Sequence, residues 1–251
     1  MISFDATFFA FAIPAVIFAG VSKGGFGSGA SFASAAILAL ILPPQLALGL
    51  MLPLLMLIDV SALRPYWGKW SFADCRRVLI GSLPGVALGA AVFSYADPDV
   101  IRFLIGLVAL LFVAWQVAKS RGLVPTPEAR LGAAAGVTTG AVAGFTSFVS
   151  HAGGPPVAVY LLSQKLDKLT YQASTVLIFW VINIFKFVPY AALGAFTGDT
   201  WLGVLMLAPV AIFGTWLGVK AHRIVPERAF FAITYVLLIL TGTRLIWVAV
   251  T

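Results

Sequence analysis

Apolar segments fill most of this chain of 251 residues, and short polar or charged loops separate them. The segments lie at 6–22, 30–42, 46–63, 78–95, 100–118, 131–149, 154–163, 171–195, 201–219 and 229–249. A helix needs about 20 apolar residues to cross a bilayer, and most of these segments approach that length. Such runs differ from the alternating pattern of a transmembrane β-barrel. The pattern therefore predicts an all-α polytopic membrane protein.

Two of the segments, 30–42 and 154–163, are too short to cross a bilayer as single helices. Each of them follows a break that is rich in glycine and polar residues, and each break follows a longer apolar segment. We therefore expect two broken helical hairpins, 6–22 with 30–42 and 131–149 with 154–163. The pattern leaves open whether each hairpin spans the bilayer or re-enters it from one side.

The two halves of the chain match each other at a fixed offset of 124 positions. The matches pair Ala19-Gly20 with Ala143-Gly144, Asp59 with Asn183, and Pro65-Tyr66 with Pro189-Tyr190. They predict two transmembrane repeats at 1–120 and 131–251, joined by a linker at 121–130. Each repeat would hold one broken hairpin and three transmembrane helices. Each Pro-Tyr pair predicts a helix kink followed by a tyrosine at the membrane interface.

Loop charge predicts the orientation in the membrane. Lysine and arginine outnumber acidic residues in four loops, at 64–77, 119–130, 165–168 and 220–228. The loops at 94–101 and 196–200 are acidic. Because basic loops face the cytoplasm, the linker is expected inside an inner (cytoplasmic) membrane and both termini outside. The second repeat is then inverted, and inverted repeats are typical of transporters with a site at the repeat interface.

Composition excludes several classes of protein. The chain is 61% hydrophobic and only 10% charged, whereas a soluble domain is about 25% charged. The net charge of +7 gathers in loops, so the expected partner is the lipid bilayer and not a nucleic acid. The single cysteine, Cys75, excludes an internal disulfide, and neither a metal nor a cofactor is predicted. The chain contains no nucleotide-binding glycine loop, which disfavours ATP-driven transport.

The first break, from Ala19 to Ser31, is the first candidate site. It places a lysine among glycines and serines inside an apolar region, where a charge costs about 2.5–3.5 kcal/mol. We interpret Lys23 as an anion contact or a gate, with a lysine snorkelling to the interface as the alternative. The residues expected to bind substrate here are Lys23, Gly24, Gly25, Gly27, Ser28, Gly29 and Ser31.

The second break supplies the other half of the expected site. Pro155 predicts that a helix begins near it, and free N–H groups at a helix start attract anions. A second such start is expected near Ser28 to Ser31, so that Lys23 would face His151. His151 is expected to carry a coupling proton or to pair with the anion, with a neutral histidine bound to a carbonyl as the alternative. The substrate-binding residues expected here are Ser147, Ser150, His151, Gly153 and Gly154.

Three further polar residues lie inside predicted membrane helices. Asp59 is a candidate for coupling or gating, or else a neighbour of Arg64 near the end of its helix. Asn183 must form a hydrogen bond, either to substrate or between helices. Lys186 is a second intramembrane cation for coupling or gating, or else a partner for a carbonyl or carboxylate near the inner surface.

Several stretches together resemble the sulfite exporter TauE/SafE family of membrane transporters. They are Ala19 to Gly29, Leu42-Pro-Pro, Leu52 to Asp59, Leu83 to Gly89, Ala143 to Phe148, and His151 to Pro156. The resemblance covers nearly the whole chain. It implies two pseudo-symmetric halves and secondary transport of small anions, among them sulfite, sulfoacetate, other sulfonates and thiosulfate.

We therefore expect a secondary exporter of small sulfur-containing anions that works by alternating access around a midplane site. Uptake of thiosulfate or of another small organic anion is the alternative, and the substrate, the use of protons for coupling and a homodimeric state stay open. An intramembrane enzyme using Ser147 or Ser150 with His151 is disfavoured, because no carboxylate is near to orient the histidine. A cation channel would need clustered acidic residues, and Asp59 is the sole candidate.

Overall fold

The computed structural model describes residues 2–26, 30–124, 129–221 and 224–251. Its helices are α1 (Ala6–Val21), α2 (Ala33–Leu38), α3 (Pro44–Leu63), α4 (Phe72–Tyr95), α5 (Pro98–Ser120), α6 (Ala133–Ser150), α7 (Gly154–Ser163), α8 (Lys168–Ala192), α9 (Gly198–Ala221) and α10 (Glu227–Val250). A π-helical turn, Ser22–Phe26, continues α1, and a short 3₁₀ turn, Arg64–Tyr66, follows α3. Eight of the described helical stretches are long and apolar enough to cross a membrane. The prediction of an all-α polytopic membrane protein is therefore confirmed.

The first hairpin returns the chain to the side of the protein on which α1 begins. Lys23 bonds to Asp59 near the end of α3, while Phe4 and Leu50, near the starts of α1 and α3, both flank Gly203. Helices α1 and α3 therefore run in the same direction, so residues 30–43 must return across the protein between them.

The second hairpin closes in the same way. Gln164, just after α7, donates from Nε2 to the Leu131 carbonyl just before α6, over 3.0 Å. The Ser163 hydroxyl accepts a longer bond of 3.4 Å from the Leu131 N–H. The end of α7 is thus tied to the start of α6, and α8 begins soon afterwards at the same end, where the side chain of Asp167 caps its first turn. The predicted broken hairpins are present in both halves.

The first break differs from the prediction in two respects. The polar stretch does not unwind after Val21, because the π-helical turn carries the helix on to Phe26. The helix expected to start near Ser28 to Ser31 begins only at Ala33, and it is six residues long. Its first turns are closed by tight bonds such as Ser34 N–H to the Ser31 carbonyl, so they do not form a regular helix N-terminus.

Glycines allow the two halves to approach each other closely. In α4, a Cβ added at Gly85 would overlap the carbonyl oxygen of Ala141 in α6. In α9, a Cβ at Gly214 would lie 3.0 Å from the backbone of Ile17 in α1. Ile17 and Ala141 are equivalent at the repeat offset, so the two halves make corresponding contacts. This exchange of helices is compatible with the predicted inverted repeats, and small residues on α4 and α9 form the faces that pack on the other half.

Helices α3 and α8 pack against each other between the pair α4 and α6 and the pair α1 and α9. Much of α3 is buried, which is unusual for a single membrane helix and follows from its central position. Its only buried charge is Asp59, and α8 buries Asn183 and Lys186. The centre of the protein therefore holds the polar residues that lipid could not accommodate.

Candidate functional site

The lysine of the first break is paired inside the protein. Lys23 Nζ lies 2.5 Å from Asp59 Oδ1, and only 7% of Lys23 is exposed. The π-helical turn carries Lys23 beyond the end of α1, and Asp59 reaches it from the last turns of α3. A snorkelling lysine would instead extend its ammonium group to the membrane surface. The ion pair excludes that alternative in this conformation.

The second oxygen of the same carboxylate is held from α8. Asn183 Nδ2 donates a hydrogen bond of 2.7 Å to Asp59 Oδ2, and both side chains are buried. Asn183 therefore bridges two helices, which is one of its two predicted roles. In the described part of the chain, Asp59 bonds to Lys23 and Asn183, whereas the side chain of Arg64 is exposed.

Lys186 lies one turn beyond Asn183 on α8, and it is fully buried. Its Nζ donates to the Ser147 carbonyl oxygen over 3.0 Å and to the Ser147 hydroxyl over 3.1 Å. A third contact of 2.7 Å joins Nζ to Nδ1 of His151. All three N–H groups of the ammonium thus face neutral acceptors. The predicted carbonyl contact is present, and no carboxylate of the described residues lies within ion-pair distance.

His151 ends α6 in a left-handed conformation, with φ 58° and ψ 14°. This sharp turn directs its ring between α3 and α8, where Nε2 lies 3.1 Å from the Leu48 carbonyl oxygen. Because a carbonyl oxygen can only accept, the proton of a neutral ring sits on Nε2 and donates to Leu48, and Nδ1 then accepts from Lys186. The carbonyl-bound histidine considered from the sequence is therefore present, and the ring also accepts from Lys186.

These contacts join the candidate residues of both breaks into one cluster. Its members are Lys23, Asp59, Ser147, His151, Asn183 and Lys186, which we call the central cluster. Each member is less than a tenth exposed. With each side chain in its ordinary protonation state, the cluster contains two ammonium groups, one carboxylate and a neutral histidine. It therefore carries one positive charge that no described acidic residue balances.

An aromatic layer covers the central cluster on the side of His151. The rings of Phe148 and Tyr190 lie 4.7 Å apart, and Phe93 of α4 stacks on Tyr190 at 5.8 Å. The Tyr190 hydroxyl donates to the Phe148 carbonyl oxygen over 2.6 Å, and Tyr190 is fully buried. The Tyr190 ring therefore packs inside the protein and does not face the lipid.

A polar network lies at the other end of α6 and α7. Asp74 in the first turn of α4 accepts from the Ser71 hydroxyl over 2.6 Å and from the Tyr160 hydroxyl over 3.1 Å. Arg77 contacts the same carboxylate over 3.2 Å. The Ser71 N–H donates to the Ser174 hydroxyl of α8 over 3.0 Å. These bonds tie α4 to α7 and α8, so the second hairpin is fixed to the rest of the protein at this end.

The remaining predicted site residues have local or packing contacts. The Ser150 hydroxyl donates to the Thr146 carbonyl of its own helix, so it is not bonded to His151. Gly24 and Gly25 press against the backbone of α9, and Gly153 packs against α6. Ser31 is buried near the start of α2, Gly154 is the first residue of α7, and Gly27, Ser28 and Gly29 lie outside the described residues. A role for these residues in substrate binding stays a prediction.

The expected arrangement of the two breaks needs one correction. Lys23 and His151 do not meet as a facing pair, since Lys23 contacts Asp59 and His151 contacts Lys186. The reason is that α3 and α8 lie between the breaks and supply the partners. By contrast, the helix start expected at Pro155 is present, because α7 begins at Gly154.

Comparison with known proteins identifies the family. The family model described as Sulfite exporter TauE/SafE matches residues 12–245, which is nearly the whole chain. The comparisons with curated proteins and with solved structures give no significant match. The matched range includes both hairpins and every member of the central cluster. The chain therefore belongs to the sulfite exporter TauE/SafE family of membrane transporters.

Proposed function

We propose that this protein is a secondary transporter that exports small sulfur-containing anions, such as sulfite or organosulfonates, by alternating access. The family supports transport of sulfur-containing anions. The central cluster is our proposed anion site, because it lies between the two halves and draws on both. Uptake of thiosulfate or of another small organic anion is the alternative that the same site would serve.

The observation that carries this proposal is the unbalanced charge of Lys186. Asp59 is already engaged by Lys23 and Asn183, whereas the ammonium of Lys186 has only neutral acceptors. A lysine at the centre of a membrane helix is unfavourable by about 2.5–3.5 kcal/mol on insertion scales. An anion beside Lys186 would supply the missing counter-charge, and the Asn183 amide and the Ser147 hydroxyl would supply hydrogen-bond donors.

Burial of the cluster supports alternating access. Every member is buried, the aromatic layer lies beside His151, and the Asp74 network joins α4, α7 and α8 at the opposite end of α6 and α7. An anion would enter when one of these coverings opens and leave when the other opens. Movement of α7 and the π-helical turn relative to α3 and α8 would separate Lys186 from His151 and admit the substrate.

A thermal-shift screen of the purified protein tests the proposal. Sulfite, sulfoacetate, methanesulfonate, taurine, thiosulfate and small carboxylates would be added separately at matched ionic strength, because a bound anion stabilises the folded state by mass action. We expect sulfite and methanesulfonate to raise the melting temperature, and the same anions to cross the membrane of proteoliposomes. Equal shifts with chloride, together with no flux of any sulfur-containing anion, would contradict the proposal.

A further inference from the structure

We propose that Asp59 sets the charge of the transported anion, so that the central cluster selects monoanions over dianions. This inference rests on the proposed function, and it specifies the substrate class of the same site. It predicts that hydrogensulfite and singly charged sulfonates such as methanesulfonate bind, whereas the dianions bind poorly, namely doubly charged sulfite, thiosulfate and sulfoacetate.

The charges of the cluster carry the inference. Lys23 and Asp59 form a buried ion pair at 2.5 Å, which leaves Lys186 as the one unbalanced cation of the described cluster. A monoanion beside Lys186 makes the whole cluster neutral. A dianion would leave one negative charge in a region that lipid and apolar helices surround. Burying an unpaired charge is strongly unfavourable, so the two substrates should differ clearly in affinity.

The position of Asp59 places its negative charge next to any anion bound in the cluster. Asn183 holds one oxygen of Asp59, and Lys186 follows Asn183 by one helical turn, a rise of about 4.5 Å. Any anion held by both Asn183 and Lys186 therefore lies close to the Asp59 carboxylate. The ammonium group of Lys23 offsets the repulsion between Asp59 and a singly charged ligand, and Lys186 balances the charge of that ligand. A second negative charge on the ligand would have no cation in the cluster to balance it.

Titratable groups face this position from each helix that forms it. They are Lys23 from the π-helical turn, Asp59 from α3, His151 from the end of α6 and Lys186 from α8. A test that uses pH must therefore separate protonation of the protein from protonation of the ligand. Methanesulfonate is suited to this purpose, because it stays a monoanion wherever sulfite changes its charge.

The first experiment compares anion binding to the purified wild-type protein and to Asp59→Asn, with calorimetry or thermal shift as the readout. We expect methanesulfonate to bind the wild type at least about tenfold more tightly than thiosulfate, a difference of about 1.4 kcal/mol. Asp59→Asn keeps the shape of the side chain and adds one net positive charge, so it should reverse that preference. Asp97→Asn, which removes an exposed carboxylate from a loop, is the matched control and should leave the ratio unchanged.

The second experiment needs no variant, and it covers the case in which Asp59→Asn does not fold. Binding of total sulfite and of methanesulfonate to the wild type is measured at about pH 6 and about pH 8, where histidine also titrates. A rise in pH converts hydrogensulfite to sulfite. We therefore expect the ratio of the affinity for total sulfite to the affinity for methanesulfonate to be lower at about pH 8 than at about pH 6. Equal affinity for thiosulfate and methanesulfonate, or a constant ratio of sulfite to methanesulfonate, would overturn the inference and leave the proposed function standing. Absence of binding by every anion would overturn both.

Discussion

Asn183 donates a hydrogen bond of 2.7 Å to Asp59, and the two residues occupy the same position in the two halves of the chain, 124 residues apart. A residue that touches its own equivalent must lie near the axis that relates the two halves. Gly106 of α5 and Gly242 of α10 also pack against each other reciprocally. These contacts are compatible with a pseudo-twofold axis between the halves.

The ion pair between Lys23 and Asp59 should be strongly coupled in unfolding experiments. Lys23→Met alone leaves a buried carboxylate without its cation, and removal of one partner of a buried pair costs about 3–5 kcal/mol. The double variant Lys23→Met with Asp59→Leu should lose less stability than the two single variants added together. A double-mutant cycle in detergent, followed by thermal or denaturant unfolding, measures the coupling. Strictly additive losses would show that the two side chains do not interact.

Close packing of α4 on α6 should make Gly81 sensitive to any side chain. A Cβ at Gly81 would overlap the Val137 carbonyl oxygen, so Gly81→Ala must push two helices apart. Overpacking of this kind typically costs about 1–3 kcal/mol. Gly132→Ala is the matched control, because nothing lies within 4 Å of its added Cβ. Similar melting temperatures for the two variants would argue against the described helix contact.

Tyr160 should stabilise the second hairpin through Asp74. Tyr160→Phe removes the hydroxyl that donates to the buried carboxylate over 3.1 Å, and it keeps the ring. Loss of a donor to a buried charged group costs about 1–3 kcal/mol. Tyr95→Phe tests the same change on a side chain that is 91% exposed, and it should be close to neutral. Hydrogen exchange of α7 should increase in Tyr160→Phe alone, and an unchanged exchange rate would contradict the role of this network.

The predicted orientation can be tested with cysteines on the background Cys75→Ser, since Cys75 is buried. Arg121→Cys places a thiol in the basic linker, and Gly198→Cys places one at the first residue of α9, within the acidic segment 196–200. An impermeant maleimide added to intact cells should label only the second, because basic loops stay in the cytoplasm. Labelling of the linker variant alone would show that the protein has the opposite orientation in the membrane.

Much of the architecture follows from the sequence, because lipid imposes a simple rule on helices. Apolar segments of sufficient length predicted the crossings, and the two short segments predicted the returns of the hairpins. The match of Asp59 with Asn183 indicated that the halves are related, although their direct contact could not be inferred from it.

The partners inside the central cluster could not be predicted in the same way. Lys23 meets Asp59 only because a π-helical turn extends α1 and rotates the lysine toward α3, and no feature of the sequence indicates that turn. Tyr190 follows a proline near a helix end, which suits an interface, yet the packing of α8 directs it inward. Side-chain direction depends on how each helix is rotated against its neighbours, and that rotation is a property of the whole fold.

Anion flux through a Lys186 variant tests the central claim most directly. Proteoliposomes would carry wild type, Lys186→Met, or the control Lys168→Met, which alters an exposed lysine at the start of the same helix. Because Lys186 supplies the one unbalanced charge of the cluster, we expect Lys186→Met to lower sulfite flux at least about tenfold, about 1.4 kcal/mol or more. Lys168→Met should transport as the wild type does. Wild-type flux in a folded Lys186→Met protein would contradict the assignment of the central cluster as the anion site.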